Sequence, residues 1–146
     1  MIYPSEEKFL ELAKQGNLIP IGREYPADAE TPVSAYIKLS SQPGGAAFLL
    51  ESAETGGRLG RYSFVGSRPA GVMEFRAGRV RLTKLSGEVE EKAPENPDPL
   101  VEVQQMLQGI RPVAAWPGEP PPFAGGAVGF LAFEAVRYFE NRVGMA

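Results

Sequence analysis

Apolar residues near the start of the chain recur at helical spacing. Phe9, Leu12 and Ala13 share one face of a helix predicted over residues 5–15. Ser5 can cap it, Glu6 and Glu7 suit the positive end of its dipole, and Gly16 can stop it. The period then shortens to two. Val33, Ala35, Ile37 and Leu39 alternate with Ser34, Tyr36 and Lys38, which predicts a half-buried strand. A turn at Gln42-Pro43-Gly44-Gly45 leads into Ala46-Ala47-Phe48-Leu49-Leu50-Glu51-Ser52, apolar enough for a central strand. Beyond Thr55-Gly56-Gly57, strands are predicted over 61–67 and 71–77. Gly78 then makes a tight reversal into Val80-Arg81-Leu82-Thr83. Short strands joined by short Gly-containing turns imply antiparallel pairing rather than βαβ crossovers.

The pattern changes over residues 92–122. Eight of the 14 prolines lie between Pro94 and Pro122. One helix is predicted inside this stretch: Asp98 caps it, Pro99 sits in its first turn, and Gly109 ends it. Leu100, Val103, Leu107 and Ile110 form its apolar stripe. Residues 116–122 read as a stiff extended connector. The last segment, Phe123-Ala124-Gly125-Gly126-Ala127-Val128-Gly129-Phe130-Leu131, reads as a Gly-rich strand. It feeds an amphipathic helix over 132–141 that carries Phe133, Val136 and Phe139. A strand so small and apolar normally lies against other backbone, and little sequence follows to cover it. The domain therefore reads as cut short, with exposed apolar surface around 125–131 that would drive self-association or demand a partner. The fold class is α+β, a mainly antiparallel sheet with about three packed helices, in one domain spanning 1–146.

Composition narrows the chemistry. With 43% hydrophobic and 23% charged residues, the 146-residue chain has the balance of a soluble globular domain. No apolar run approaches the ~20 residues that span a bilayer. The N-terminus lacks a basic stretch followed by an apolar core, so the expected location is the cytoplasm. There is no Cys and no His. That excludes disulfides, thiolate chemistry, Cys-ligated zinc and any Ser–His–Asp triad. A formal charge of −3 argues against nucleic-acid binding. Arg76, Arg79, Arg81 and Lys84 around the predicted hairpin are interrupted by Glu74 and read as a solvated strand face.

Few motifs carry chemistry. Gly125-Gly126-Ala127-Val128-Gly129 lacks the Gly-Lys-Ser/Thr of a phosphate-binding loop and opens no helix, so it reads as close backbone packing. Glu88, Glu90 and Glu91 beside Ser86-Gly87 read as a solvated hairpin. Glu51 differs, because it ends an apolar strand beside Ser52. A carboxylate there can accept hydrogen bonds from an ammonium group or cap a neighbouring loop, and both roles stay open on the residues alone.

Spacing adds to this. Leu49-Leu50-Glu51-Ser52 is followed after ten residues by Ser63, within Arg61-Tyr62-Ser63-Phe64-Val65-Gly66. Thr31-Pro32-Val33-Ser34-Ala35-Tyr36-Ile37-Lys38-Leu39 stands upstream. Gly125-Gly126-Ala127-Val128-Gly129-Phe130-Leu131-Ala132-Phe133-Glu134-Ala135-Val136-Arg137-Tyr138-Phe139-Glu140 stands downstream. This succession resembles the N-terminal domain of the large subunit, component I, of anthranilate synthase, a chorismate-utilising enzyme. The Leu-Leu-Glu-Ser element with its later Ser is similar to that family's tryptophan feedback signature.

The resemblance implies a regulatory domain of an enzyme that makes anthranilate from chorismate in tryptophan biosynthesis. It implies the N-terminal part of that fold, joined to a C-terminal chorismate-binding domain and, in the full complex, to a glutaminase subunit. Mg²⁺ and the catalytic residues would belong to the C-terminal domain, so no catalytic or metal-ligating residue is assigned here and the chain alone is expected to be inactive. The expected ligand is L-tryptophan. Glu51 and Ser52 would take its ammonium, Ser63 and Arg61 its carboxylate, and Leu50 with Pro32 would wall its indole. The alternatives are the N-terminal domain of aminodeoxychorismate (4-aminobenzoate) synthase component I and, from another class, a stand-alone ligand-binding or interaction module.

Overall fold

The computed structural model describes residues 2–42, 45–51, 62–116, 118 and 121–140. Among these are seven strands, paired only antiparallel, and three α-helices, the α+β architecture that the turn spacing predicts. The strands divide among three small sheets rather than forming one. The chain gathers into two compact units, residues 1–26 with 100–146 and residues 27–99.

In the first unit, α1 (Glu6–Leu12) begins where its cap is predicted. Ser5 Oγ accepts from the Lys8 backbone N–H at 3.3 Å, and Glu6 and Glu7 occupy the first turn. Leu12 is buried and Phe9 half-buried, whereas Ala13, predicted on the same face, is exposed beyond the end of the helix. Strand β1 (Ile2–Tyr3) pairs with β2 (Gly22–Arg23). The Tyr3 ring lies over Gly22, where an added Cβ would sit 2.6 Å from it, and meets the Trp116 ring edge-on at 5.1 Å. Asn17 ties this part to the segment after α3. Its amide donates to the Gly109 carbonyl at 2.8 Å and accepts from the Arg111 N–H at 2.7 Å. Helix α3 (Pro99–Leu107) starts at the predicted proline. Its inward residues include the buried Glu102 and half-buried Val103 and Leu107, whereas Leu100 and Ile110 are exposed.

Two expectations for the end of the chain are corrected. Residues 123–131 form no strand: Gly125 and Gly126 have φ of +149° and +142°, a backbone that does not continue a ladder, and the segment has no strand partner among the described residues. The helix predicted over 132–141 is a 3-10 helix (Phe133–Tyr138). Its start, Ala132, has no side-chain cap, and its bonds run from the N–H of Ala135 to the Ala132 carbonyl and from Phe139 to Val136. Asn141 lies outside the described residues.

The second unit holds the other strands. The β5 (Gly71–Arg76) and β6 (Arg79–Lys84) hairpin closes over Ala77 and Gly78, with φ of +52° and +71°. Two left-handed residues are what the favoured two-residue hairpin turn needs. Gly78 is thus where the sequence predicts the reversal. Strand β7 (Val89–Lys92) adds on the far side of β6. Val80, Met73, Phe75 and Leu82 share one face, with Val80 buried. A second sheet pairs β3 (Ala47–Glu51) with β4 (Ser63–Ser67).

The main correction concerns residues 32–40. They form helix α2 (Pro32–Ser40), not a strand. Thr31 Oγ1 accepts from the Ser34 N–H at 3.1 Å, and Ser34 Oγ accepts from the Thr31 N–H at 2.9 Å, a reciprocal capping box. Pro32 fits the first turn, where its missing N–H costs nothing. The half-buried residues Pro32, Ala35, Tyr36 and Leu39 follow the 3.6 period, while Val33 and Ile37, inward in the predicted strand, face solvent.

Candidate functional site

Of the six residues singled out in the sequence, Pro32, Leu50, Glu51 and Ser63 are described; Ser52 and Arg61 lie outside the described residues. The four belong to the layer formed by α2, β3 and β4, in which the helix packs on both strands.

The register puts Glu51 directly across from Ser63. Paired residues share a face, with Cβ atoms typically ~5 Å apart. Both are exposed, so a carboxylate acceptor and a hydroxyl stand side by side and open to solvent. The carboxylate can accept from an ammonium group, and the hydroxyl can donate to a carboxylate. Such a pair suits the zwitterionic end of an amino acid. Leu50 points to the other face of the sheet, where it pairs with Phe64. There the Tyr62 and Phe64 rings stack with centroids 6.2 Å apart, inclined by 19°. Leu50 and Tyr62 are each nearly half exposed, so this face offers an apolar aromatic surface. Glu51 and Ser63 are thus brought together on one face, with Leu50 on the reverse side.

Charge at the start of α2 is organised by Glu30. One of its carboxylate oxygens accepts from Ser34 Oγ at 2.7 Å and the other pairs with Lys38 Nζ. Lys38, followed by Ser34, holds the Glu30 carboxyl below the ordinary glutamate range. Neither Glu30 nor Lys38 stands out in the sequence. Their relation is an i, i+4, i+8 ladder with Ser34, legible only once the segment is known to be helical.

The acidic run after Ser86 is absorbed by ion pairs. Lys84 pairs with Glu90 and with Glu88, the latter at 3.2 Å, and Arg79 Nε lies 2.5 Å from Glu91. Glu90, then Glu88, raise the Lys84 ammonium above the ordinary lysine range, and Lys84 in turn lowers Glu90. Two of the four basic residues around the hairpin are thereby neutralised. A shallow hollow of about 240 Å³ lies beside Lys84, between Gly45, Pro69, Val72 and Leu85. Among the described residues no group of three or more acidic side chains could hold a metal ion, and no helix is long and apolar enough to cross a membrane.

Comparison with known proteins agrees with the motif resemblance. Over 98% of its length the chain is 44% identical to anthranilate synthase component 1 of Synechocystis sp., of which it covers 27%. It is 38% identical over 97% of its length to the protein of that name from Arthrobacter globiformis, covering 25% of it. The Pseudomonas putida protein of that name is 40% identical over 97% of the chain, with 28% covered. No family model matches, and no solved structure does. The chain spans about a quarter of the length of the curated relatives it matches. It is accordingly a relative of anthranilate synthase component 1, equivalent to one part of that protein as an N-terminal domain would be.

Proposed function

We propose that this chain is the tryptophan-binding, feedback-regulatory N-terminal part of an anthranilate synthase component 1, cytoplasmic and without catalytic activity by itself. The observation that carries the reading is the facing of Glu51 and Ser63 across the β3–β4 ladder. These positions are the ones that the Leu-Leu-Glu-Ser and later Ser motif singles out. Glu51 with Ser52 takes the ligand's ammonium, Ser63 with Arg61 its carboxylate, and Pro32 supplies apolar contact near the indole, whereas Leu50 faces the reverse side of the sheet. The partners are then a C-terminal chorismate-binding domain, where Mg²⁺ and the chemistry reside, and a glutaminase subunit. Feedback follows if tryptophan prefers one arrangement of the joined domains, with chorismate opposing it reciprocally.

Calorimetric titration of the chain with L-tryptophan tests this, with L-phenylalanine and chorismate as controls. Selective tryptophan binding is expected. Ser52→Ala and Ser63→Ala, each removing a hydrogen bond to a charged group, should weaken it roughly tenfold or more while leaving the fold intact. Affinity unchanged in both variants would remove the site assignment. Tryptophan that copurifies and does not exchange would favour the 4-aminobenzoate branch instead.

A further inference from the structure

We infer that the 3-10 helix over Phe133–Tyr138 is a self-docking surface, on which a second copy of this chain seats itself about a two-fold axis. The inference stands on this helix and does not rest on the tryptophan site. A 3-10 helix has three residues per turn, so side chains three apart line up along it. Phe133, Val136 and, at its end, Phe139 therefore form one ridge, and they are 89%, 38% and 48% exposed. Glu134 and Arg137 form the next ridge. Both are exposed, and neither is paired among the described residues. Ala135, on the third ridge, is the half-buried residue of the helix, so that side faces the rest of the chain.

The two outward ridges are complementary to themselves when reversed. A copy running antiparallel, with the axis near Val136, lays Phe133 on Phe139 of the copy and Glu134 beside Arg137 of the copy. Symmetry makes each of these contacts twice. A parallel copy sets Glu134 against Glu134 instead, and like charges so placed repel. The patch is small. With Phe130 and Leu131 just before the helix, its exposed apolar side chains offer on the order of 600 Å². A standard interface buries about 800 Å² on each partner. The pairing is therefore weak and reversible, with a dissociation constant on the order of 10–100 μM.

The test is sedimentation across that concentration range of the wild-type chain, Glu134→Arg, Arg137→Glu, and an equimolar mixture of the two variants. Wild type is expected to pass from monomer to dimer and no further. Each reversal sets like charges together at both copies of the contact and should weaken dimerisation about fivefold or more. In the mixture each variant supplies the charge that the other lacks, and dimerisation should return to within about twofold of wild type. Denaturant midpoints, taken in dilute solution where the chain is monomeric, should be equal in wild type and both variants. A wild-type chain that stays monomeric throughout, or that grows past a dimer, overturns the inference. So does a mixture that associates no better than either variant alone, which is what unspecific contact between phenylalanines gives.

Discussion

Single residues show how tightly the candidate layer is fitted. Phe48 stands across from Gly66 in the β3–β4 ladder, and its ring occupies the space a Cβ at Gly66 would need. Gly66→Ala must therefore push the ring aside. Overpacking of this kind costs about 1–3 kcal/mol, which urea unfolding would register as an earlier midpoint. Gly129 has open space around it, and Gly129→Ala should change stability by no more than ~0.5 kcal/mol. Equal effects of the two substitutions would mean that Phe48 does not lie over Gly66. The sequence predicts close backbone packing at Gly129 rather than at Gly66, and the structure has it the other way round. Only the strand register separates them, because steric demand comes from a residue 18 positions away.

At the scale of elements, α2 is the informative case. Its stability comes from its start: Thr31→Ala removes the acceptor for the Ser34 N–H and should cost about 1 kcal/mol, read from the denaturant midpoint. The Glu30 bridge gives α2 a dependence on pH. The folded chain holds the Glu30 carboxyl below its ordinary value, so the unfolded chain takes up the proton first. Its contribution is complete above the ordinary glutamate pKa of about 4.3 and is lost as pH falls through the lower folded value. Unfolding of wild type and Glu30→Gln should therefore differ most at neutral pH and converge in acid. A difference independent of pH would exclude the bridge as its source. The alternation of four apolar residues predicts a strand, but a helix also accommodates it by turning Val33 and Ile37 to solvent.

At the scale of the molecule, the distribution of apolar surface stands out. Among the described residues only Leu12, Gly16, Val80, Pro99 and Glu102 are buried, in a chain that is 43% hydrophobic. The exposed apolar residues concentrate late in the sequence: Phe130 is 92% exposed and Phe133 89%, with Leu131 and Phe139 about half exposed. This agrees with the expectation of apolar surface around 125–131, although the backbone there is not the predicted strand. Side chains that touch so little contribute little to folding. Replacing Phe130 and Phe133 together by Ser should shift the unfolding free energy by no more than ~0.5 kcal/mol. Sedimentation over a dilution series should show weaker concentration-dependent association than in wild type. A large loss of stability would mean that these rings are covered within the chain itself.

The sequence by itself determined the features whose physics is local. The N-cap of α1, the proline start of α3 and the left-handed turn at Gly78 each depend on a few adjacent residues, and all stand where they are predicted, whereas α1 ends at Leu12, short of the predicted stop at Gly16. The motif that relates the chain to anthranilate synthase component 1 was legible for the same reason, being a short run at fixed spacing. Tertiary structure decided the rest. Residues 32–40 could alternate as a strand or wind as a helix, and the choice fell to capping together with the surface that β3 and β4 offered the helix. Glu51 and Ser63 are twelve positions apart, and nothing between them says that they face each other. Their pairing is a matter of register, and a shift of one residue would have sent one of the two to the opposite face.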